Sequence, residues 1–346
     1  MTDILFQAAE GAGEAAQTGL AELLGRCRPP FAPGAEVGIK VHWGERDNVS
    51  FLPATLTREV VRWVAAHGGR PFVFDTTVLY SGGRRDGRTS LETAREHGFS
   101  PAVLGCPVLI GDGLDGRDVI DLAAGYRHFA TVQVAGLLER TDAFVIFSHF
   151  KGHLAAGFGG AIKNLSMGLA SRAQKQRMHA DARPHLLPER CTRCGTCVAV
   201  CPTGAAGFAA PGRLPAFDLG LCIGCAQCIA QCPELALRLQ WRIAASDFQE
   251  RVVETAAAVW RRIAGRTLLV NALLQITAEC DCMAGDNPRI APDVGFLAGE
   301  HPLTLDEASL ARVGAEPFDR AHPGLPWPRQ LLYAREIGFA PHQETA

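Results

Sequence analysis

Two cysteine runs between positions 191 and 233 constrain this chain more than any other feature. Cys191, Cys194, Cys197 and Cys201 are followed by Pro202, and Cys222, Cys225, Cys228 and Cys232 by Pro233, so the spacing C-x2-C-x2-C-x3-C-P occurs twice. That is the ligand spacing of a pair of [4Fe-4S] clusters. Three closely spaced thiolates wrap three irons of one cube, whereas the fourth stands on too short a loop to fold back and crosses to the other cube. The expected ligand sets are therefore Cys191, Cys194 and Cys197 with Cys232, and Cys222, Cys225 and Cys228 with Cys201. Zinc is the alternative, since two Cys-x2-Cys pairs also make a tetrahedral thiolate site, but zinc has no need of proline-terminated triplets.

The remaining cysteines are Cys27, Cys106, Cys280 and Cys282. Cluster thiolates require a reducing compartment, so these are read as free or metal-bound rather than disulfide-bonded. A length of 346 residues suits about two domains, one large enough for a substantial core. A net charge of −2 offers no electrostatic footprint for nucleic acid or an anionic membrane. The start of the chain has an acid and no early base before a short apolar patch, no apolar run reaches the ~18 residues of a membrane span, and Arg84-Arg85 and Arg261-Arg262 are internal. The expected location is cytoplasmic.

Periodicity predicts a helix over 15–26, a strand over 35–43 that delivers Lys40 and His42, a helix after Pro53, and a strand over 71–75. A capping box at Thr89-Ser90-Leu91-Glu92 announces a helix ending near Gly98. Strands are expected at 106–110, 131–134 and 142–148, the last of them central. After the cysteine runs the pattern resumes with a helix over 248–263, a strand over 267–276, and a helix capped by Thr304 and Glu307. The fold class is α/β, a mostly parallel doubly wound sheet with an inserted small α+β two-cluster domain. Residues 1–182 form the first part of the α/β domain, 183–240 the cluster domain, and 241–346 the α/β continuation and C-terminal tail. Ligands bind beyond the carboxyl ends of such strands, which directs attention to the loops after Val41, Phe74 and Phe147.

The loop 149–164 places His149, Lys151, His153 and Lys163 among Gly152, Gly157, Gly159 and Gly160. Glycines there either let a ligand approach the backbone or only make a tight turn. His42, Lys151, Gly159, Gly160 and Asn164 are candidates for holding a small anionic ligand, and His153 and His179 for moving protons. Taken alone, His179 beside Lys175 and Arg177 reads as part of a solvated basic face. Cys280 and Cys282 are either a third metal site, completed by Cys27, His42, Cys106 or His153, or free thiols at a strand end. No G-x-G-x-x-G after a strand, P-loop or H-E-x-x-H motif is present.

Residues 191–233 resemble a bacterial-type two-cluster ferredoxin domain. Together with 42–48, 75–80, 148–164, Glu279-Cys280-Asp281-Cys282 and Pro292-Asp293-Val294-Gly295, they resemble the iron-sulfur family known by its domain of unknown function 362, whose chemistry is not settled. Locally, His153, Gly157, Gly159-Gly160, Lys163, Gly168 and His179 are similar in spacing to the nickel-pincer lactate racemase family, although Met167-Gly168 stands where that family has Pro-Gly. That resemblance implies an acid/base role for His153, a covalently attached pincer nucleotide on Lys163, and nickel ligation by His179.

Three functions follow. The first is an oxidoreductase passing electrons from two [4Fe-4S] clusters to a small anionic substrate or metal pocket. The second is a non-catalytic electron-transfer subunit docking on a redox partner protein. The third is a racemase-like metalloenzyme.

Overall fold

A computed structural model describes residues 4–79, 82–179, 183–222, 227–238 and 244–341. Seven strands form the central sheet: β1 (Leu5–Ala8), β2 (Glu36–Lys40), β3 (Arg70–Asp75), β4 (Val108–Ile110), β5 (Ala143–His149), β6 (Thr267–Leu273) and β7 (Gly295–Gly299). Their order is β1-β7-β6-β5-β2-β3-β4. The run from β6 to β4 is parallel throughout, while β7 is antiparallel to both of its neighbours.

The sequence of β5, Ala-Phe-Val-Ile-Phe-Ser-His, is buried at every position, as a parallel strand covered on both faces requires. Its alternate side chains enter two cores. Val145 and Phe147 join Ile39 and Val270 beneath the helices Glu14–Gly25 and Ala54–Ala66, whose Leu20, Leu23, Val60 and Val64 face the sheet. Phe144 and Ile146 join Leu269 on the opposite face, against Ile162 and Leu165 of Ala161–Ser166 and Val252 and Val259 of Ala245–Ile263. The sheet is therefore doubly wound. Among the described residues no helix is long and apolar enough to cross a membrane.

Several local expectations are corrected. Asp86, not Thr89, caps the helix Gly87–Glu96, because its short carboxylate accepts the Thr89 amide at 3.0 Å. His301, not Thr304, caps Pro302–Val313 by accepting from Leu303 N. The strand Thr131–Ala135 lies outside the central sheet and pairs with Val119–Ala123. The loop after β5 is more ordered than its glycines suggest: Lys151–His153 and Gly157–Gly159 form a small antiparallel ladder before the helix Ala161–Ser166.

The chain leaves the sheet after β5 and returns at β6, which pairs directly with it. Between them, the cysteine-rich stretch makes two small ladders, His185–Leu186 with Leu237–Arg238 and Ala206–Phe208 with Pro215–Phe217. Its own core gathers Cys197, Ile229, Cys232, Ala236 and Leu237. The expected boundaries at 182/183 and 240/241 involve residues outside the described ones, as does Cys225.

Gly157 tests the packing of the loop that follows β5. Its φ is +77°, and a Cβ there would collide with Trp327. Gly157→Ala is expected to destabilise the protein by about 1–3 kcal/mol, read as a lower urea midpoint. Gly125→Ala, with a similar φ of +69° but open space around it, should cost less.

Candidate functional site

The carboxyl ends of β2, β3 and β5 bring buried charges together. Lys40 Nζ, at the end of β2, lies 2.9 Å from Asp75 Oδ1 at the end of β3 and 2.9 Å from Asn164 Oδ1. Arg84 Nη2 donates to the other Asp75 oxygen at 2.5 Å, and Arg84 Nη1 lies 2.9 Å from His42 Nε2. Although burial opposes it, the charges of Lys40 and Arg84 hold the Asp75 carboxyl well below the usual carboxylate range. Behind this group, Lys175 Nζ donates to Thr76 Oγ1 at 2.7 Å and to the Thr77 carbonyl, and the Thr77 amide and hydroxyl both donate to Asp112. Burial brings Lys175 down to about 8.

A second carboxylate, Asp281, is fully buried between the two loop cysteines. His149 Nδ1 lies 2.9 Å and Lys151 Nζ 2.8 Å from its Oδ2. On one side of Asp281, Cys280 Sγ accepts from Lys163 Nζ at 3.4 Å and is hydrogen-bonded by His42. The Gly44 amide donates to His42 Nδ1 at 3.0 Å, while the Arg84 guanidinium faces Nε2. A hydrogen bond from Cys282, followed by the Lys163 charge and the His42 hydrogen bond, holds the Cys280 thiol well below its ordinary range despite burial. Among the described residues Lys163 has no carboxylate within ion-pair reach.

His153 and His179 both pack on Phe248, with ring centroids 5.8 and 4.7 Å away. The amides of Ala155 and Ala156 donate to His153 Nδ1 at 3.2 and 3.1 Å, so the neutral ring carries its proton on Nε2. Burial, reinforced by the Lys163 charge, pushes His153 well below the usual histidine value and His179 down to about 4. Both are thus neutral at pH 7. The basic helix Arg172–His179 is not a solvated face. Arg172, Gln174 and Lys175 are buried, because Lys175 finds acceptors in Thr76 and Thr77 and Gln174 in Thr255.

The remaining expected ligand-binding positions have internal partners. Gly159 makes room for Lys163, since a Cβ would stand 2.7 Å from Lys163 Cδ, and a Cβ on Gly160 would collide with Asp306. Asn164 accepts from Lys40 and donates to Phe147 O at 3.2 Å and Ser148 Oγ at 3.1 Å. Asp306 accepts from Ala161 N at 2.7 Å, Ile162 N at 2.9 Å and Asn271 Nδ2 at 2.8 Å, and so holds the start of the helix that carries Lys163.

Burial outweighs those donors and pushes the Asp306 carboxyl up to about 6, against an ordinary 3.8. A carboxyl with a raised native value binds more protons folded than unfolded, so its contribution to stability falls as pH rises between those two values. Asp75 and Asp281 have depressed native values and act with opposite sign at lower pH. We expect Asp306→Asn to remove a fall in stability over pH 4–6, measured by urea unfolding across that range, while leaving acid sensitivity below it.

In the cysteine-rich stretch, Cys191, Cys194, Cys197 and Cys232 line one partly open cavity, with Leu186, Phe208 and Leu237 among its apolar walls. Of the other expected set, Cys201, Cys222 and Cys228 are partly exposed. Arg85 Nη2 donates to the carbonyl of Pro233, the residue after Cys232, at 2.8 Å. The adjacent Arg84 contacts His42, which contacts Cys280.

Cys27 and Cys106 do not complete a site with Cys280 and Cys282. They belong to the core beneath the two N-terminal helices, where burial pushes both thiols up to about 11. Among the described residues the ligand atoms of His128, Asp247 and Glu250 gather within 4.8 Å. Glu250 is already engaged there by His128 at 2.6 Å and Arg329 at 2.7 Å, which makes this an ion-pair network. Asp75, Arg84, Asp112 and Asp281 are the pocket residues that spacing did not single out.

The chain matches the family described as Domain of unknown function (DUF362) over residues 37–311. Among solved structures it is similar to a structural-genomics target protein from Thermotoga maritima, at 11% identity and a TM-score of 0.43, covering 94% of this chain and 60% of that one. It is also similar to the lactate racemase apoprotein from Thermoanaerobacterium thermosaccharolyticum, at 11% identity and a TM-score of 0.40, covering 78% of this chain and 50% of that one. The chain thus spans between half and three-fifths of the length of those structures. No curated protein matches it.

Proposed function

The chain belongs to the family described as Domain of unknown function (DUF362), and from that premise we propose that it is an iron-sulfur oxidoreductase delivering electrons to a small anionic substrate at the strand-end pocket. The observation that carries this reading is the connection from the four-cysteine cavity to the pocket, running from Cys232 and Pro233 through Arg85 and Arg84 to His42 and Cys280.

The donors fit a [4Fe-4S] cluster. Thiols from both runs line the same apolar-walled cavity, yet among the described residues no three of them approach within 4.8 Å. A single zinc ion at ~2.3 Å per sulfur would draw tetrahedral sulfurs to roughly 3.8 Å from one another. Cys191, Cys194, Cys197 and Cys232 would hold one cluster, and Cys222, Cys225, Cys228 and Cys201 the other, in an inserted ferredoxin-type domain. When bound, such clusters supply electrons one at a time.

The pocket suits an anion. Among the described residues, buried Lys40, Arg84, Lys151 and Lys175, together with Lys163, lie near the carboxylates of Asp75, Asp112 and Asp281, and Lys163 also senses Glu279. Among the described residues Lys163 makes no ion pair with a carboxylate, so it is the group proposed to pair with a bound carboxylate or phosphate. His153, neutral with its Nδ1 accepting from Ala155 and Ala156, offers its Nε2–H as a hydrogen-bond donor to the anion, and His179 is the ring that can take up a proton.

The test is single-turnover reoxidation. Chemically reduced protein is mixed with small carboxylates and phosphates while the cluster absorbance is followed. Accepted ligands should reoxidise the clusters, and Lys163→Met should slow that step without changing iron content. Ligands that bind while the clusters stay reduced would instead make the chain an accessory electron carrier for a redox partner.

A second reading has one observation in its favour: His153, Lys163 and His179 share an environment, both rings packing on Phe248 and both sensing the Lys163 charge. Their proximity supports the reading as a racemase-like metalloenzyme, in which these three residues would share one pocket. Nickel with added mass on Lys163 would establish it, and iron and sulfide alone would remove it.

A further inference from the structure

The thiols of Cys280 and Cys282 have no assigned part in the reading above, yet their surroundings are built. Cys280 is buried, lies 3.4 Å from the Lys163 ammonium, and shares hydrogen bonds with His42 and Cys282. Cys282 is close enough to be its hydrogen-bond partner, and its thiol, too, is buried, although the residue as a whole keeps some exposure. Among the described residues no group of three ligands includes either sulfur. What the arrangement does provide is one sulfur beside a cation and two hydrogen-bond donors, one of them a second thiol two residues along the chain.

We propose that Cys280 and Cys282 form a redox-active pair that cycles between a disulfide and a thiolate-thiol form, with Cys280 as the leaving and attacking sulfur and Cys282 as the sulfur that meets the external donor. In the reductive direction, one thiolate of a dithiol attacks Cys282 Sγ. The S–S bond breaks, and its electron pair leaves with Cys280, whose counter-ion is Lys163. A sulfur stabilised as thiolate leaves faster, which fixes the direction of attack. The second thiol of the reagent then displaces Cys282, which takes that thiol's proton, and the reagent departs as its own disulfide.

The same two electrons and one proton convert the pair when the electrons come singly from iron-sulfur donors. That physiological source rests on the reading in the preceding subsection, whereas the thiol exchange does not. The assignment also gives Lys163 a purpose before any substrate binds.

The test uses the full-length, cluster-loaded protein, equilibrated anaerobically in mixtures of reduced and oxidised dithiothreitol, quenched in acid and alkylated. After tryptic cleavage, residues 267–289 carry Cys280 and Cys282 and no other cysteine. The mass of this peptide should change from doubly alkylated to a disulfide lacking two hydrogens, along a two-electron curve. Lys163→Met should raise the dithiothreitol ratio needed for half reduction by about tenfold, which is about 30 mV, and Lys163→Arg should restore it. His42→Asn weakens the same thiolate independently where Lys163→Met is not recovered folded.

A peptide that stays doubly alkylated in fully oxidised buffer would overturn the proposal, as would a midpoint indifferent to both variants. Iron and sulfide measured on the same samples separate the two readings. Clusters without a disulfide transition sink this inference alone, and a transition without clusters sinks the cluster reading alone.

Discussion

Replacing Asp75 with alanine is expected to cost about 3–5 kcal/mol of folding stability at neutral pH. Asp75 is fully buried and is the carboxylate that both Lys40 and Arg84 contact, so its removal leaves two positive charges in a desolvated site. Breaking one side of such a group is far more costly than replacing the whole of it with apolar residues. The effect has a pH signature. Because the native carboxyl titrates well below its unfolded value, its stabilisation is fully present above the usual carboxylate range and is lost as pH falls through the native value. The difference between wild type and Asp75→Ala in urea midpoint should therefore be large at pH 7 and shrink in acid. A constant difference across pH would mean that the carboxylate acts through packing alone.

Cys232→Ala is expected to release about half of the bound iron and sulfide. Since Cys232 lines the cavity of Cys191, Cys194 and Cys197, Cys191→Ala should have the same effect. The combined Cys191→Ala/Cys232→Ala protein should lose no more than either single variant. If each run instead closed its own cluster, the two losses would add and little iron would remain. Iron and sulfide content of the three proteins, prepared anaerobically, decides between these topologies.

Much of the architecture was legible because it depends on local pattern. The all-apolar β5, the Pro53 start of the second helix, and the resumption at β6 each carry a periodicity that short segments reveal. The strand order did not, because β7 joins through long-range pairing and β1 adds only a short, partly buried edge. The two misplaced caps show how near competitors decide local chemistry: Asp86 and His301 sit just before the residues expected to cap.

At the site, cysteine, histidine and lysine spacing singled out His42, His153, Lys163 and Cys280, which the fold places in one neighbourhood. Asp75, Arg84 and Asp281 escaped because a lone carboxylate or arginine has no diagnostic spacing. Their roles come from partners far away in sequence, such as His149 for Asp281, 132 residues apart. Taken alone, His179 reads as solvated for the same reason, although its spacing from Lys163 makes it a proton-handling candidate. Nothing local shows that the helix carrying it turns its basic residues toward Thr76 and Thr77.

Anaerobic quantification of iron and acid-labile sulfide, paired with EPR of the chemically reduced protein, decides whether the cysteine runs hold two clusters. About eight irons and about eight sulfides per chain are expected, with signals of reduced [4Fe-4S] clusters. Zinc in place of iron, or iron without matching sulfide, would contradict the two-cluster assignment.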